Sequence, residues 1–399
     1  MQLTKEEQAM LDGAHGRAAR KGMEILAALG SIYGAERMIK VTSVQISGVS
    51  YDNLGEAGLK FLTGMAEGGG KAKVLTTLNP AGMDIQNWQY LGIPAEFARN
   101  QERVLQAFEK MGAVTTCTCT PYLAGNLPNF GDHIAWAESS AVCYANSIIG
   151  ARTNREGGPS ALAASVTGRT PMYGLHLDTN RVPNLAVEIK TEINGTFEFG
   201  ALGKAVGEMS EKFGPKIVPY IRGIGQASLE ELKSLCASLA TYGGAALFHI
   251  PGITPEGDKH QAPGRRIEVQ RSHIEEAIES LNSEQDLEAD FISLGCPHLS
   301  IDEIKRIAQL LEGRQVVKEF WITTSRPVKQ IADRLGYSKI IEESGAKFAT
   351  DTCCVVAPIK GRFRALATDS AKACYYASAK NGFKTSLLPF EEVVLRATR

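Results

Sequence analysis

The stretch "AVTTCTCTPYLAGNLP" (113–128) decides how this chain is read. Together with Gly112, its front half is rich in Val, Thr and Cys, reads as a strand over 112–119, and is stopped by Thr120-Pro121. It places Cys117 and Cys119 one residue apart at a strand end. Residues i and i+2 of a strand share a face, so the two thiols are expected to point the same way at different depths.

Working outward, a helix is expected over 95–111, a strand over 71–78 ("KAKVLTTL"), a helix over 53–69 capped by Asn53, and a strand over 38–46 ("MIKVTSVQI"). The first thirty residues read as one amphipathic helix ending near Gly30. Strands alternating with helices are the βαβ signature of a mostly parallel sheet. The pattern returns further on. Strands are expected at 216–223, 245–250, 290–295, 319–324 and 346–352, with a helix around 328–337. Ser228 with Glu231, and Ser300 with Glu303, are capping boxes that open two more helices. The segment 150–171 ("GARTNREGGPSALAASVTGRTP") reads as the longest loop, and 255–268 as an exposed linker or flap.

The 399 residues exceed what one compact core usually holds. Three α/β units are expected, over 1–200, 201–288 and 289–399. A net charge of −1 offers no basic field for a nucleic acid backbone. The charged N-terminus has no export signal, and no apolar run approaches the roughly 18–20 residues of a membrane span. The expected location is the cytoplasm, where the eight cysteines stay reduced and serve as ligands, nucleophiles or packing.

Ligands of open α/β sheets bind at the carboxyl ends of strands. The residues that follow the expected strands are Gly48-Val49-Ser50, Asn79-Pro80, Thr120-Pro121, Cys296-Pro297-His298 and Cys353-Cys354. Cysteines at three strand ends, spaced unlike a zinc ribbon, point to an iron–sulfur cluster with one iron free of protein ligands. Plain packing of buried thiols is the alternative. Cys143, Cys236 and Cys374 fall in helical text and read as core. His249 reads as satisfying backbone groups, and His298 as either a site residue or a turn stabiliser. Glu138 and Ser139 open the helical stretch "ESSAVCYANS", capping it or facing a site. Arg152 and Arg155 are either anion clamps or surface arginines, and Lys372 reads more readily as solvated.

The stretches "GVSYDNLGEAGLKFL", "TTLNPAGMD", "CTCTPYLAGNLPNFGDHIAWAESSAVCYANS", "GARTNREGGPSALAASVTGRTP", "LGCPHLS" and "DTCCVVAP" together resemble the large subunit of the aconitase X family, along nearly the whole chain. The resemblance implies an aconitase-like fold of three mostly parallel α/β subdomains around a central cleft, and an iron–sulfur hydro-lyase. It implies a [4Fe–4S] cluster held by Cys119, Cys296 and Cys353, with Cys354 next door as the alternative third ligand. It also implies substrate contacts from Gly48, Val49, Ser50, Asn79, Pro80, Glu138, Ser139 and Lys372, with Glu138 and Ser139 in catalysis and Glu138 either donating a proton to the leaving oxygen or orienting iron-bound water. Family members dehydrate either (R)-5-phosphomevalonate, a step of isoprenoid biosynthesis, or cis-3-hydroxy-L-proline, and "LNPAGMD" favours the first. A non-catalytic metal-binding scaffold is the reading from another class. Asp369 stands where asparagine is expected in many relatives. Because the chain ends where fused relatives continue, a small partner subunit carrying a swivelling domain is expected to form a heterodimer with it and to supply a serine base.

Overall fold

The computed structural model describes residues 1–214, 216–284 and 287–398; the end of the third expected unit, 399, lies outside them. The sequence splits its apolar residues among several cores, and the sheets follow that division. Five strands belong to the first part: β1 (Met38–Lys40), β2 (Ser43–Ile46), β3 (Leu75–Leu78), β4 (Ala135–Trp136) and β5 (Arg169–Pro171). β2 is the centre of a parallel sheet ordered β3-β2-β4, while β1 and β5 form a small antiparallel ribbon. β6 (Leu185–Ile189), β7 (Pro219–Arg222) and β8 (Arg266–Val269) make a second parallel sheet with β6 central. β9 (Phe291–Leu294), β10 (Glu319–Thr324), β11 (Lys347–Thr350), β12 (Ala365–Thr368) and β13 (Lys384–Leu387) form a five-stranded parallel sheet ordered β11-β10-β9-β12-β13. The result is an α/β fold with its main sheets parallel, as the alternation of elements requires.

Several expectations are corrected. The first helix is two, Lys5–Leu11 and Arg17–Ile32, parted by Gly13 and Gly16 at positive φ. The helix expected from 53 begins at Tyr51, with Ser50 and not Asn53 at its cap. The run 38–46 breaks into β1 and β2, which serve different sheets. The opening stretch is not a strand: Val114 makes one bridge to Thr77, and Cys117 holds a φ of +41°, a left-handed turn that ends any ladder. The shared-face argument for Cys117 and Cys119 therefore fails. Likewise 245–250 makes only the bridge from His249 to Tyr220.

The loop expected at 150–171 contains the buried helix Gly158–Thr167 and β5. Its alanines pack against Arg17–Ile32, where a methyl at Gly22 would meet Val166 at 2.9 Å. The flap at 255–268 ends in β8 and buries Glu256 against Arg181. β6, β12 and β13 were not anticipated.

The helices Gly195–Ser210 and Leu229–Tyr242 approach closely because small residues line the contact. A Cβ on Gly203 would lie 2.6 Å from Ser238 and one on Gly207 2.7 Å from the Gly243 nitrogen. This packing brings Thr196 and Lys233, near the two helix starts, against the third sheet, where Thr196 Oγ1 donates to Asp369 at 2.7 Å and Lys233 pairs with Glu303.

Candidate active site

The first and third sheets meet at their carboxyl ends. β2 and β3 pair in a register that sets Ile46 opposite Leu78, so the segments after them leave side by side, and Asn79 N donates to the Ile46 carbonyl at 2.9 Å. β4 pairs Trp136 with Gln45, which delivers Glu138 to the same edge. From the other side, β9 leads to Cys296, β11 to Cys353 and β12 to Lys372. The seam is stitched directly. Ser50 Oγ donates to the Val356 carbonyl at 3.0 Å, and Ala81 N to the Asp351 carbonyl at 2.9 Å.

Lys372 and Glu138 meet across this seam. The Lys372 ammonium donates to Glu138 Oε1 at 2.5 Å and to Ser140 Oγ at 2.7 Å, all three residues being buried. Glu138 Oε2 accepts the Ala141 N–H at 2.7 Å, while Oε1 also accepts Ser140 Oγ at 3.2 Å and Ser139 Oγ at 3.4 Å. Burial alone would raise the Glu138 pKa, but the Lys372 charge and this ring of donors outweigh it and hold the carboxylate below its usual range. In this arrangement the ionised Glu138 carboxylate anchors the Lys372 ammonium. Burial opposes the Lys372 charge, and Glu138 with the nearby Cys296 and Cys119 more than restores it. An ammonium has three donors, and two are used here, which leaves one N–H for a ligand.

Cys119, Cys353 and Cys296 surround this pair. The Cys119 thiol feels both other thiols as well as Glu138 and Lys372, and Cys296 feels Cys353, Lys372 and Glu138. Burial pushes all three thiols up, Cys296 to about 12, so loading a metal there would release protons. Among the described residues, no three His, Cys, Asp or Glu side chains converge on a single-ion site. The donor chemistry fits a larger sulfur-ligated group: three thiols from three separate loops, in one another's field. Two side-chain oxygens, Asn79 Oδ1 on the loop after β3 and Thr352 Oγ1 beside Cys353, are buried without a hydrogen-bond partner among the described residues. Cys354 is buried in an apolar cluster with Phe291, Trp321 and Leu366, against which Cys296 also packs. Cys117 packs in the core of the first part with Leu78, Ala81 and Ala137.

Gly48 has a φ of +77°, and a Cβ there would meet nothing within 4 Å. The N–H groups of Gly48, Val49 and Ser50 form no hydrogen bond among the described residues. Two buried glutamines that the sequence reading missed hold these loops. Gln101 Oε1 accepts from Tyr51 N and Gly82 N, both at 3.0 Å, and its Nε2 donates to the Val49 carbonyl at 2.9 Å. Gln45 Nε2 donates to the Thr118 carbonyl at 3.1 Å, and its Oε1 accepts the Glu138 N–H at 3.3 Å. The available signal was a polar residue on the buried face of an amphipathic helix or strand. Pro80 is buried beside Asn79.

Arg152 is not free to clamp an anion, since it pairs with Asp178 at 2.5 Å and lies 3.8 Å from Glu256; Arg155 is exposed. His249 Nε2 meets the Arg181 carbonyl at 2.8 Å, the backbone role expected of it. Cys143, Cys236 and Cys374 are buried.

Residues 1–179, 183–279 and 289–399 match the models of the aconitase X first, second and third domains. A phosphomevalonate dehydratase large subunit from Methanothermobacter thermautotrophicus is 47% identical, over 94% of this chain and 93% of its own. One from Thermococcus kodakarensis is 45% identical over the full length of both. A cis-3-hydroxy-L-proline dehydratase from Hypocrea jecorina is 36% identical, over 96% of this chain but 66% of its own. The crystal structure of Thermococcus kodakaraensis aconitase X (holo-form) superposes with a TM-score of 0.92 at 45% identity, covering 100% of both chains. With matches across all three domains and along the whole chain, this protein belongs to the aconitase X family.

Proposed function

We propose that this chain is the large subunit of a hydro-lyase that dehydrates (R)-5-phosphomevalonate to trans-anhydromevalonate 5-phosphate in the mevalonate route to isoprenoids. The observation that carries the reading is the Lys372–Glu138 pair set among three thiols where two sheets meet. The relatives named for phosphomevalonate are the more similar ones and extend over nearly their whole length, whereas the hydroxyproline enzyme named above is more distant.

Cys119, Cys296 and Cys353 are the proposed ligands of a [4Fe–4S] cluster. Such a cluster, when bound, supplies Lewis acidity at the iron without a protein ligand, easing departure of the tertiary hydroxyl. The remaining work falls to the chain. Lys372 offers its free N–H to a substrate oxygen, and Glu138 with Ser140 keeps that ammonium charged and aimed. Ser139 stands beside them as a further contact. The unpaired N–H groups of 48–50 form a nest for an oxyanion, and Asn79 offers its unpartnered oxygen to a donor, next to Pro80. Lys380 adds a cation at the same seam. Its Nζ lies 3.0 Å from Asp52 Oδ2, in the first turn of the helix Tyr51–Glu67, and 3.2 Å from the Val355 carbonyl, in the loop bearing Cys353. Its charge is matched by Asp52, so what it offers a phosphorylated substrate is its third N–H and not a free cation.

The proton alpha to the carboxylate leaves to a base from a small partner subunit, as the words "large subunit" in the relatives' names suggest. Among the described residues no helix is long and apolar enough to cross a membrane, and we place the heterodimer in the cytoplasm. For the division of the chain, we propose that the first seam follows the sheets and falls between Pro171 and Leu185.

The test is co-expression with the small subunit and anaerobic iron loading, followed by turnover of (R)-5-phosphomevalonate and of cis-3-hydroxy-L-proline. Water loss from the phosphorylated acid is the expected result. Activity on the proline alone overturns the substrate assignment. A chain that takes up no iron leaves the scaffold reading in its place.

A further inference from the structure

We propose that His298 is a positioning residue that locks the three loops carrying Cys119, Cys296 and Cys353 into one preformed arrangement, so that the thiols are set before iron arrives. The inference rests on the cluster reading above.

His298 is 0% exposed and lies two residues beyond Cys296. Its Nε2 is 2.9 Å from the Thr352 carbonyl, next to Cys353. A carbonyl can only accept, so Nε2 carries the hydrogen. Nδ1 is then the acceptor and takes the Thr118 hydroxyl at 2.9 Å, next to Cys119. The main-chain N–H of His298 donates to Cys119 Sγ itself at 3.2 Å. Its carbonyl accepts from Lys233 Nζ at 3.1 Å, which fastens the turn to the second part of the chain. Every polar group of this one residue is thus used, and the bonds reach the loops of both other proposed ligands. Neither Asn nor Gln spans both partners, because each copies only one ring nitrogen's position.

Partners that orient metal ligands are typically worth 10–100-fold in metal affinity when removed. The test is anaerobic reconstitution with ferrous iron and sulfide. Bound iron and sulfide per chain are measured, together with the rate at which a ferrous chelator strips the iron. His298→Ala is expected to release iron on the order of 10–100 times faster than the unaltered chain. Thr118→Val, which removes the Nδ1 partner together with the hydroxyl's bonds to Thr120 but leaves the Thr352 and Cys119 bonds of His298, is expected to shift the rate in the same direction by less, and His298→Gln to recover part of the loss. Phe248→Leu, in the core of the second part, serves as a control for general destabilisation and is expected to keep the normal release rate. The proposal is overturned if His298→Ala releases iron at the normal rate, or if Phe248→Leu at a matched loss of melting temperature releases it equally fast. If the unaltered chain binds no iron, the cluster reading itself falls and takes this inference with it. A normal rate in His298→Ala removes the inference alone.

Discussion

Of the ion bridges that cross the seam between the first and third sheets, two differ in what they leave unpaired. In one, Arg326 Nη2 reaches Asp84 at 2.8 Å, Nε reaches Asp351 at 3.1 Å and Nη1 reaches Gln86 at 2.9 Å. Asp84 is further tied by the N–H groups of Gln86, Asn87 and Thr350. In the other, Lys372 meets Glu138 and Ser140 and keeps one N–H in hand. A planar guanidinium with five donors suits a saturated clamp, and an ammonium on a flexible stem suits a group that must also serve a ligand. The seam therefore separates fastening from chemistry. Arg326 closes it, and Lys372 uses it.

The largest effect that tests this contrast concerns the thiols beside Lys372. Cys119→Ser is expected to abolish stable iron binding, while Cys117→Ser, a change in the apolar core, retains it; iron analysis after anaerobic loading decides. Next come the bridges themselves. Lys372→Met is expected to cut turnover by on the order of 10²–10³-fold. Arg326→Met is expected to cost about 3–5 kcal/mol of unfolding free energy by leaving buried carboxylates unpaired, with kcat of the folded fraction changed only a few-fold. Denaturant unfolding and steady-state kinetics on both variants check the pair. Equal losses of turnover would erase the distinction. Because Lys372→Met also strands Glu138, the double change with Glu138→Gln is expected to regain stability and no activity.

A smaller effect belongs to Lys380. Its replacement by Gln is expected to raise KM for the phosphorylated substrate roughly 10-fold, the worth of one charge-assisted hydrogen bond, and to leave kcat nearly intact. The smallest concerns Asp369. Burial raises its pKa to about 6, against the pull of the Thr196 hydrogen bond, with Glu303 nearby adding to the rise. The native state therefore holds a proton that the unfolded chain, with its ordinary carboxylate, releases at lower pH. Stability conferred by this group declines as pH rises from about 4 through about 6. Asp369→Asn can still accept from Thr196, so it is expected to gain about 1–3 kcal/mol above pH 6 and nothing at pH 4. Melting curves at the two pH values measure it.

Much of this was legible in the residues alone. Capping boxes at Ser228 and Ser300 sit where their spacing placed them, since a cap is a local device. β10 spans the anticipated 319–324 because its β-formers are flanked by clear breaks. The opening stretch was misjudged for the converse reason. Its local preference is strand, but the left-handed turn at Cys117 and the hydrogen bond from Thr118 N to the Leu78 carbonyl, 2.9 Å, override it. That turn frees Cys119 from the sheet and presents its sulfur to the His298 N–H.

The sequence by itself determined the alternation of strands and helices, the parallel sheets that follow from it, and the list of side chains able to do chemistry at strand ends. Those depend on near neighbours and on hydrophobic period. Only the tertiary structure decided which of those side chains meet. Glu138 and Lys372 are 234 residues apart, and nothing local in either segment encodes their contact. The same holds for the Lys372 charge that keeps Glu138 ionised against its burial, for the apolar cluster around Cys354 and for the Thr352 carbonyl that fixes the His298 tautomer. These are set by charge and desolvation summed over distant segments, and they exist only once the sheets have closed on one another.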